Sequence, residues 1–159
     1  MPALRPARSE DRDGILMLID RVLGEYGDRL MPETADCDLL DIEGHYVARG
    51  GAFVVLDDAG RIRGTHAIIP DPGQPGVCIL KRLYLDAALR GSFWGAQLMQ
   101  WSIAWARTHG MHRIEFWSDT RFTRAHRFFS RFGFQRDGRR RSVAEGWMPY
   151  EEYFYFLDL

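Results

Sequence analysis

Lysine is nearly missing from this 159-residue chain: of 21 basic residues only Lys81 is one. The arginine excess reads either as compositional bias or as a taste for bidentate anion contacts, because guanidinium presents a planar fork of donors. Cysteine is scarce as well. Cys37 and Cys78 have neither the number nor the spacing of a disulfide framework or a thiolate zinc site, so a reducing, cytoplasmic compartment is the simplest expectation. Net charge is small, −1 at pH 7, which argues against a chain built to coat nucleic acid or an anionic membrane. No apolar run approaches the roughly 20 residues that span a bilayer. The opening MPALRPARSEDRDG is polar from Arg5 onward and does not read as a secretory signal.

What is present is the material for one domain over residues 1–159. With 46% hydrophobic residues, a chain of this length buries about 70% of the surface it exposes when unfolded. Residues 2–6 predict a strand. Ser9 stands where a helix cap is expected, followed by Glu10 and Asp11 in the first turn. Ile15, Leu16, Ile19 and Leu23 recur at helical spacing before Gly24 and Gly27. The stretch 31–51 predicts a second, acidic helix stopped by Gly50-Gly51. Three β-branched runs follow, AFVVLDDAGRIRGTHAIIP and GVCILKRLYLD, broken by DDAG and PDPGQPG into antiparallel strands. Residues 92–109 predict a helix, HRIEFWSD a strand, and TRAHRFFSRFGF a short helix with Ala125, Phe128, Phe129 and Phe132 on one face. Two last strands fit 135–143 and 150–157.

The segment LRGSFWGAQLM, residues 89–99, couples a strand end to a helix start through glycine. Such a junction presents amides without intrahelical partners, backed by the positive end of the helix dipole, and so predicts an anion site. Gly91 lets backbone approach the anion, Arg90 adds charge, and Gly95 allows close contact between the first helical turn and its neighbour. The segment is neither a Walker A loop nor a dinucleotide fingerprint.

Together with its flanks, LKRLYLDAALRGSFWGAQLM resembles the acetyl-CoA motif of the GNAT family of N-acetyltransferases, a strand followed by Gln/Arg-x-x-Gly-x-Gly/Ala and a helix. Arg90 matches the first position and Gly95 the last, while Phe93 replaces the middle glycine. IEFWSDTRFTRAHRFFSRFGF is similar to the family's next strand and helix through Ala125, Gly133 and Phe134. The resemblance implies an α/β (α+β) fold with a central mixed, mostly antiparallel, splayed sheet flanked by about four helices. It implies that the amides of Arg90, Gly91, Ser92, Phe93, Trp94, Gly95 and Ala96 hold a pyrophosphate, and that Leu83, Tyr84 and Leu85 pair with the pantetheine. A phenylalanine at position 93 is compatible with this where its φ is helical, with weaker or altered coenzyme binding expected.

The implied activity is acetyl transfer from acetyl-CoA to a primary amine of a small molecule or peptide. The tyrosine that many relatives use to protonate the leaving thiolate is here Phe129, and acidic positions that the family often uses as a base fall on Ile79 and Trp117. Tyr84, Glu115, His66 and Asp119 are candidate replacements, with Tyr84 and Glu115 foremost. The alternatives are positioning with water as proton carrier, and a degenerate acyl-CoA-binding module.

Eight arginines stand between Arg121 and Arg141 against one acid, Asp137. Arg124 and Arg131 are expected on the coenzyme phosphates, and an Arg-rich nucleic-acid surface is the lesser reading. The loop SVAEGWMPY, with Glu145 and Trp147, and the acidic 31–51 segment are expected to line the acceptor site and attract a cation. His109 and His112 lack a third ligand nearby, so no metal is expected. A homodimer is left open.

Overall fold

The computed structural model describes residues 1–159 and contains one seven-stranded sheet. Its strands are β1 (Ala3–Pro6), β2 (Ala52–Asp58), β3 (Arg61–Pro70), β4 (Val77–Leu85), β5 (Arg113–Asp119), β6 (Arg140–Val143) and β7 (Tyr150–Asp158). The spatial order is β1-β2-β3-β4-β5-β7-β6. Every pair is antiparallel except β4 with β5. A parallel pair needs a crossover, and helix α2 (Trp94–Thr108) supplies it. No helix is long and apolar enough to cross a membrane.

Two apolar layers hold the helices to opposite faces. On one face α1 (Arg12–Gly24) buries Ile15, Leu18, Ile19 and Val22 against Phe53, Val55, Ala67 and Ile69, with Leu39 and Tyr46 closing the layer. On the other, Met99, Ile103 and Ala106 of α2 and Phe129 of α3 (Thr123–Arg131) pack on Ile68, Leu80, Ile114, Phe116 and Tyr155. Strand alternation produces this division, since successive residues of β3 (Ala67, Ile68, Ile69) serve the two layers in turn. Burying each large side chain contributes about 1.5–3 kcal/mol.

Two expectations about the first fifty residues are corrected. Residues 31–51 form no continuous helix but a short 3₁₀ turn, Cys37–Leu40, and a single π turn, Glu43–Val47. Their carboxylates are spent locally: Asp36 accepts from Met31 N–H at 2.7 Å and Asp41 from Gly44 N–H at 3.0 Å. Side chains that bond nearby amides compete with a helical ladder. Nor is Ser9 the cap of α1, since its hydroxyl turns to Glu10.

Asp11 stands at the start of α1, its side chain bonded back to Arg5 and Arg8 and not to the helix. It is 7% exposed, accepts the Arg8 N–H at 2.7 Å and receives the Arg5 guanidinium through two bonds of 2.8 Å. The Arg5 bond holds its carboxyl below the usual range, against burial, which pushes it up. Strand β1 is thereby fastened to the start of α1. Asp11→Ala leaves Arg5 half-buried with Asp57 and the Pro6 carbonyl as its remaining partners, and we expect the urea midpoint to fall by the equivalent of about 2–4 kcal/mol.

Candidate active-site cleft

Strand β4 pairs with β5 only over Val77–Ile79; beyond Ile79 the two strands part. The cause lies in β4. Ala67 and Thr65 of β3 face Lys81 and Tyr84, so β4 carries one more residue than its partner, a bulge that bends the strand. At the bulge Arg82 has φ +58°, a left-handed conformation costing a non-glycine residue about 1–2 kcal/mol. Its surroundings hold it there. The guanidinium donates to Asp38 and Asp36 at 3.0 Å each, with a second bond to Asp38. Thr65 Oγ1 donates to the Arg82 carbonyl at 2.8 Å, and the Tyr46 hydroxyl donates to Asp38. Burial pushes the Asp38 carboxyl up, yet Arg82 brings it below the usual range.

The gap widens into a cleft of about 1710 Å³ that passes between β4 and β5 and reaches the start of α2 and the cleft-facing side of α3. At its outer end a 3₁₀ turn, Ala87–Leu89, leads through Gly91 (φ +80°) into α2. The amides of Gly91, Phe93, Gly95 and Ala96 donate to no acceptor in the protein, and Trp94 N–H reaches only Ser92 Oγ at 3.4 Å. Phe93, with φ −70° and ψ −11°, is already helical, so its side chain imposes no backbone strain. Across the cleft Arg124, Arg127 and Arg131 of α3 line the wall without an ion-pair partner. Of the others in that segment, Arg136 lies over the Tyr153 ring at 4.3 Å, and four are ion-paired: Arg121 with Asp28 and Asp119, Arg139 with Asp137, Arg140 with Glu151, and Arg141 with Glu152.

A strand end with free amides, a bulged neighbour and a facing cationic helix is an arrangement with known relatives. The sequence profile described as the Acetyltransferase (GNAT) family matches residues 16–134. The chain belongs to the GNAT acetyltransferase family. It is 29% identical over 127 residues to an uncharacterized N-acetyltransferase of Schizosaccharomyces pombe, covering 79% of this chain and 77% of that one. Its fold is shared with the crystal structure of an acetyltransferase from Streptococcus agalactiae, TM-score 0.84 at 20% identity, covering 99% and 98% of the two chains. A Salmonella typhimurium protein solved with its cofactor acetyl-CoA superposes with TM-score 0.77 at 16% identity, covering 100% of this chain and 94% of that one.

Within this GNAT cleft lie Leu83, Tyr84, Leu85, Arg90, Gly91, Ser92, Gly95, Ala96, Arg124, Phe129 and Arg131. Four placements differ from expectation. Glu115 sits where the sheet is still closed, opposite Ile79, bonded to Gln74 and paired with Arg113 at 3.1 Å; its strand face is right, its depth wrong. Phe93 and Trp94 do not line the cleft; their rings pack on each other, tilted by 32°, with centroids 4.5 Å apart. Arg90 brings no free charge, because Glu25 holds its fork at 2.7 and 3.0 Å. Gly95 is not forced by packing, since a Cβ there would meet Phe128 at 3.7 Å, an ordinary contact.

Of the remaining candidates, Asp119 is 6% exposed and clamped by Arg121. Tyr84 lines the cleft, and burial pushes its phenol above the ordinary value of 10. Tyr150, at the start of β7, faces the same space and is raised by burial and by Glu152. The sequence did not single it out, although it closes the SVAEGWMPY loop expected to line the acceptor site and opens the last predicted strand.

His66 is fully buried, T-stacked on Trp101 at 5.7 Å, with Nδ1 3.3 Å from the Lys81 carbonyl and Nε2 unpartnered. Burial depresses its pKa from 6.5 to about 4. The unfolded chain therefore binds a proton that the folded chain refuses, so stability present above pH 6.5 is lost as pH falls toward 4, by about 3 kcal/mol in all. Urea midpoints measured between pH 7 and 4.5 should fall less steeply in His66→Leu than in the parent protein; equal slopes would clear His66 of this effect.

Proposed function

We propose that the protein is an acetyl-CoA-dependent N-acetyltransferase acting by direct transfer on a primary amine of a small molecule or peptide. The observation that carries this reading is the set of unpartnered amides at Gly91, Gly95 and Ala96, residues that line a cleft whose opposite wall holds the unpaired Arg124, Arg127 and Arg131. Free amides at the positive end of a 15-residue helix suit a diphosphate. The unpaired guanidinia add charge-assisted bonds to phosphate oxygens. Beyond Ile79 the edge of β4 that β5 leaves is free for the amide groups of a pantetheine arm, an added strand in all but covalent connection.

Acetyl-CoA supplies an activated thioester when bound. The chain's own part is to align, to exclude water and to manage protons. Leu83 and Leu85, packed toward α2, and Phe129 give the arm an apolar wall. The Tyr84 hydroxyl, neutral well beyond ordinary pH because it is buried, keeps a proton available for the departing sulfur where Phe129 has none. The amine's own proton leaves through the open mouth to water. The non-catalytic reading is disfavoured by Tyr84 and Tyr150, two phenols raised by burial and set where the strands part.

Calorimetry with acetyl-CoA tests the cofactor assignment: binding, with a rise in melting temperature at millimolar ligand, is expected, and its absence overturns the reading. Gly91→Val should weaken binding at least about tenfold with an unchanged circular dichroism spectrum, because a β-branched residue cannot hold φ +80° and the turn must move. Tyr84→Phe should lower kcat by about 100-fold with little change in KM for acetyl-CoA. Adding Phe129→Tyr to that variant should restore part of the loss; no recovery would assign the protonation to water.

A further inference from the structure

Helix α3 carries a polar stripe beside its cleft-facing side. Thr123, His126, Arg127 and Ser130 recur at i, i+3, i+4 and i+7 and face β7, where the rings of Tyr153 and Tyr155 lie 5.3 and 5.7 Å from His126. Together with Thr120 and Arg136 these residues enclose a second pocket, of about 310 Å³.

Tyr155 points to what belongs there. The residue is 2% exposed and packs among Phe116 and Phe129, both at 5.3 Å. Its hydroxyl nevertheless donates to no acceptor in the protein, and its oxygen is not sealed among the buried atoms that lack a partner, so it opens on the pocket that the residue lines. A buried phenol of this kind ordinarily finds a hydrogen-bond partner. Arg136 rests over the Tyr153 ring at 4.3 Å and over the Tyr155 ring at 5.8 Å, a stack that orients the planar guanidinium while no carboxylate pairs with it. Arg127, also unpaired, lines the same space.

No acidic residue lines this pocket. Asp119 presents its carbonyl, which accepts the His126 Nε2–H at 3.0 Å; its carboxylate is bonded to Arg121 and, by strand alternation from Phe116, belongs to the opposite face of β5. Asp137, next to Arg136 in the chain, turns to Arg139. Guanidinium groups donate and never accept, so two of them in a pocket without carboxylates select an anion. Donors that converge from a helix, a strand and a loop suit the three terminal oxygens of a phosphate better than the two of a carboxylate.

We propose that this pocket binds a phosphate monoester, at a site separate from the amide loop at the start of α2. Thr123 and Arg127 line both the pocket and the cleft, so two sources meet the same chemistry: a free phosphorylated ligand, or a 3′-phosphate carried by the coenzyme. The pocket's own chemistry is independent of the acetyltransferase reading.

Amide NMR mapping of the full chain, titrated with inorganic phosphate at constant ionic strength, reads the two anion sites separately. Saturable shifts at Thr123, Ser130, Arg136 and Tyr155 with a Kd below about 10 mM are expected, with acetate at least about tenfold weaker. Arg136→Gln should abolish saturation at these positions and leave the shifts at Gly91 and Gly95 intact. Tyr155→Phe, which keeps the ring and removes one donor, should weaken phosphate by about threefold or more. Shifts that never saturate, or an equal response to acetate, overturn the proposal. So does a phosphate affinity unchanged in Arg136→Gln, or in Tyr155→Phe should the first variant fail to fold. Calorimetry separates the sources: if Arg136→Gln weakens acetyl-CoA by about fivefold or more and spares its 3′-dephospho form, the coenzyme supplies the phosphate. If neither affinity moves, a free phosphorylated ligand does. Equal loss for both forms marks a structural role for Arg136 and overturns the assignment. Failure of acetyl-CoA itself to bind removes the acetyltransferase reading and leaves the phosphate titration to decide this site.

Discussion

The arrangement of the whole cleft depends on one strained residue. Arg82 occupies the left-handed region on a strand where glycine would enter without penalty, and its guanidinium, buried between two carboxylates, keeps it there. The pairing is reciprocal in effect. Asp36 and Asp38 belong to the irregular segment that covers α1, so the contact that bulges β4 also fixes the wall opposite it. Strain of this kind persists only where its surroundings over-determine it, and here four separate hydrogen bonds and a buried tyrosine do so. Without the bulge β4 would continue beside β5, and the sheet would close over the space where the chemistry belongs.

Charge follows the same division of labour. Four of the eight arginines that line the cleft are paired with acids distant in sequence, such as Arg121 with Asp28 and Arg90 with Glu25. These pairs join loops into one rim. The cations of α3 are left free, and they face the amides of the α2 start. An anionic ligand that spans α2 and α3 thus meets positive potential from both sides.

Much of the fold was legible before any coordinates. The β-branched runs of β2, β3 and β4, buried in the middle of the sheet, and the three-four spacing in α1 and α3, which matches a buried face, read correctly because these signals are local. The segment 31–51 misled for an identifiable reason: Leu39, Leu40, Ile42 and Tyr46 mimic a helical stripe, but the side chains of Asp36, Asp38 and Asp41 bond to local amides, Arg82 and Tyr46, in competition with a helical ladder. Ser9 misled in a similar way, since a local rule for caps was overruled by Arg5, a residue that reaches Asp11 from the neighbouring strand.

The sequence by itself determined the order of elements, the glycine turn into α2 and the loss of a hydroxyl at Phe129, because periodicity, left-handed backbone and side-chain chemistry are local properties. Only the tertiary structure decided which charges survive pairing, how far along its strand Glu115 lies, and that Tyr84, Tyr150 and Lys81 share one space. Those facts depend on contacts between residues tens of positions apart. No spacing rule along the chain encodes the point at which two strands separate.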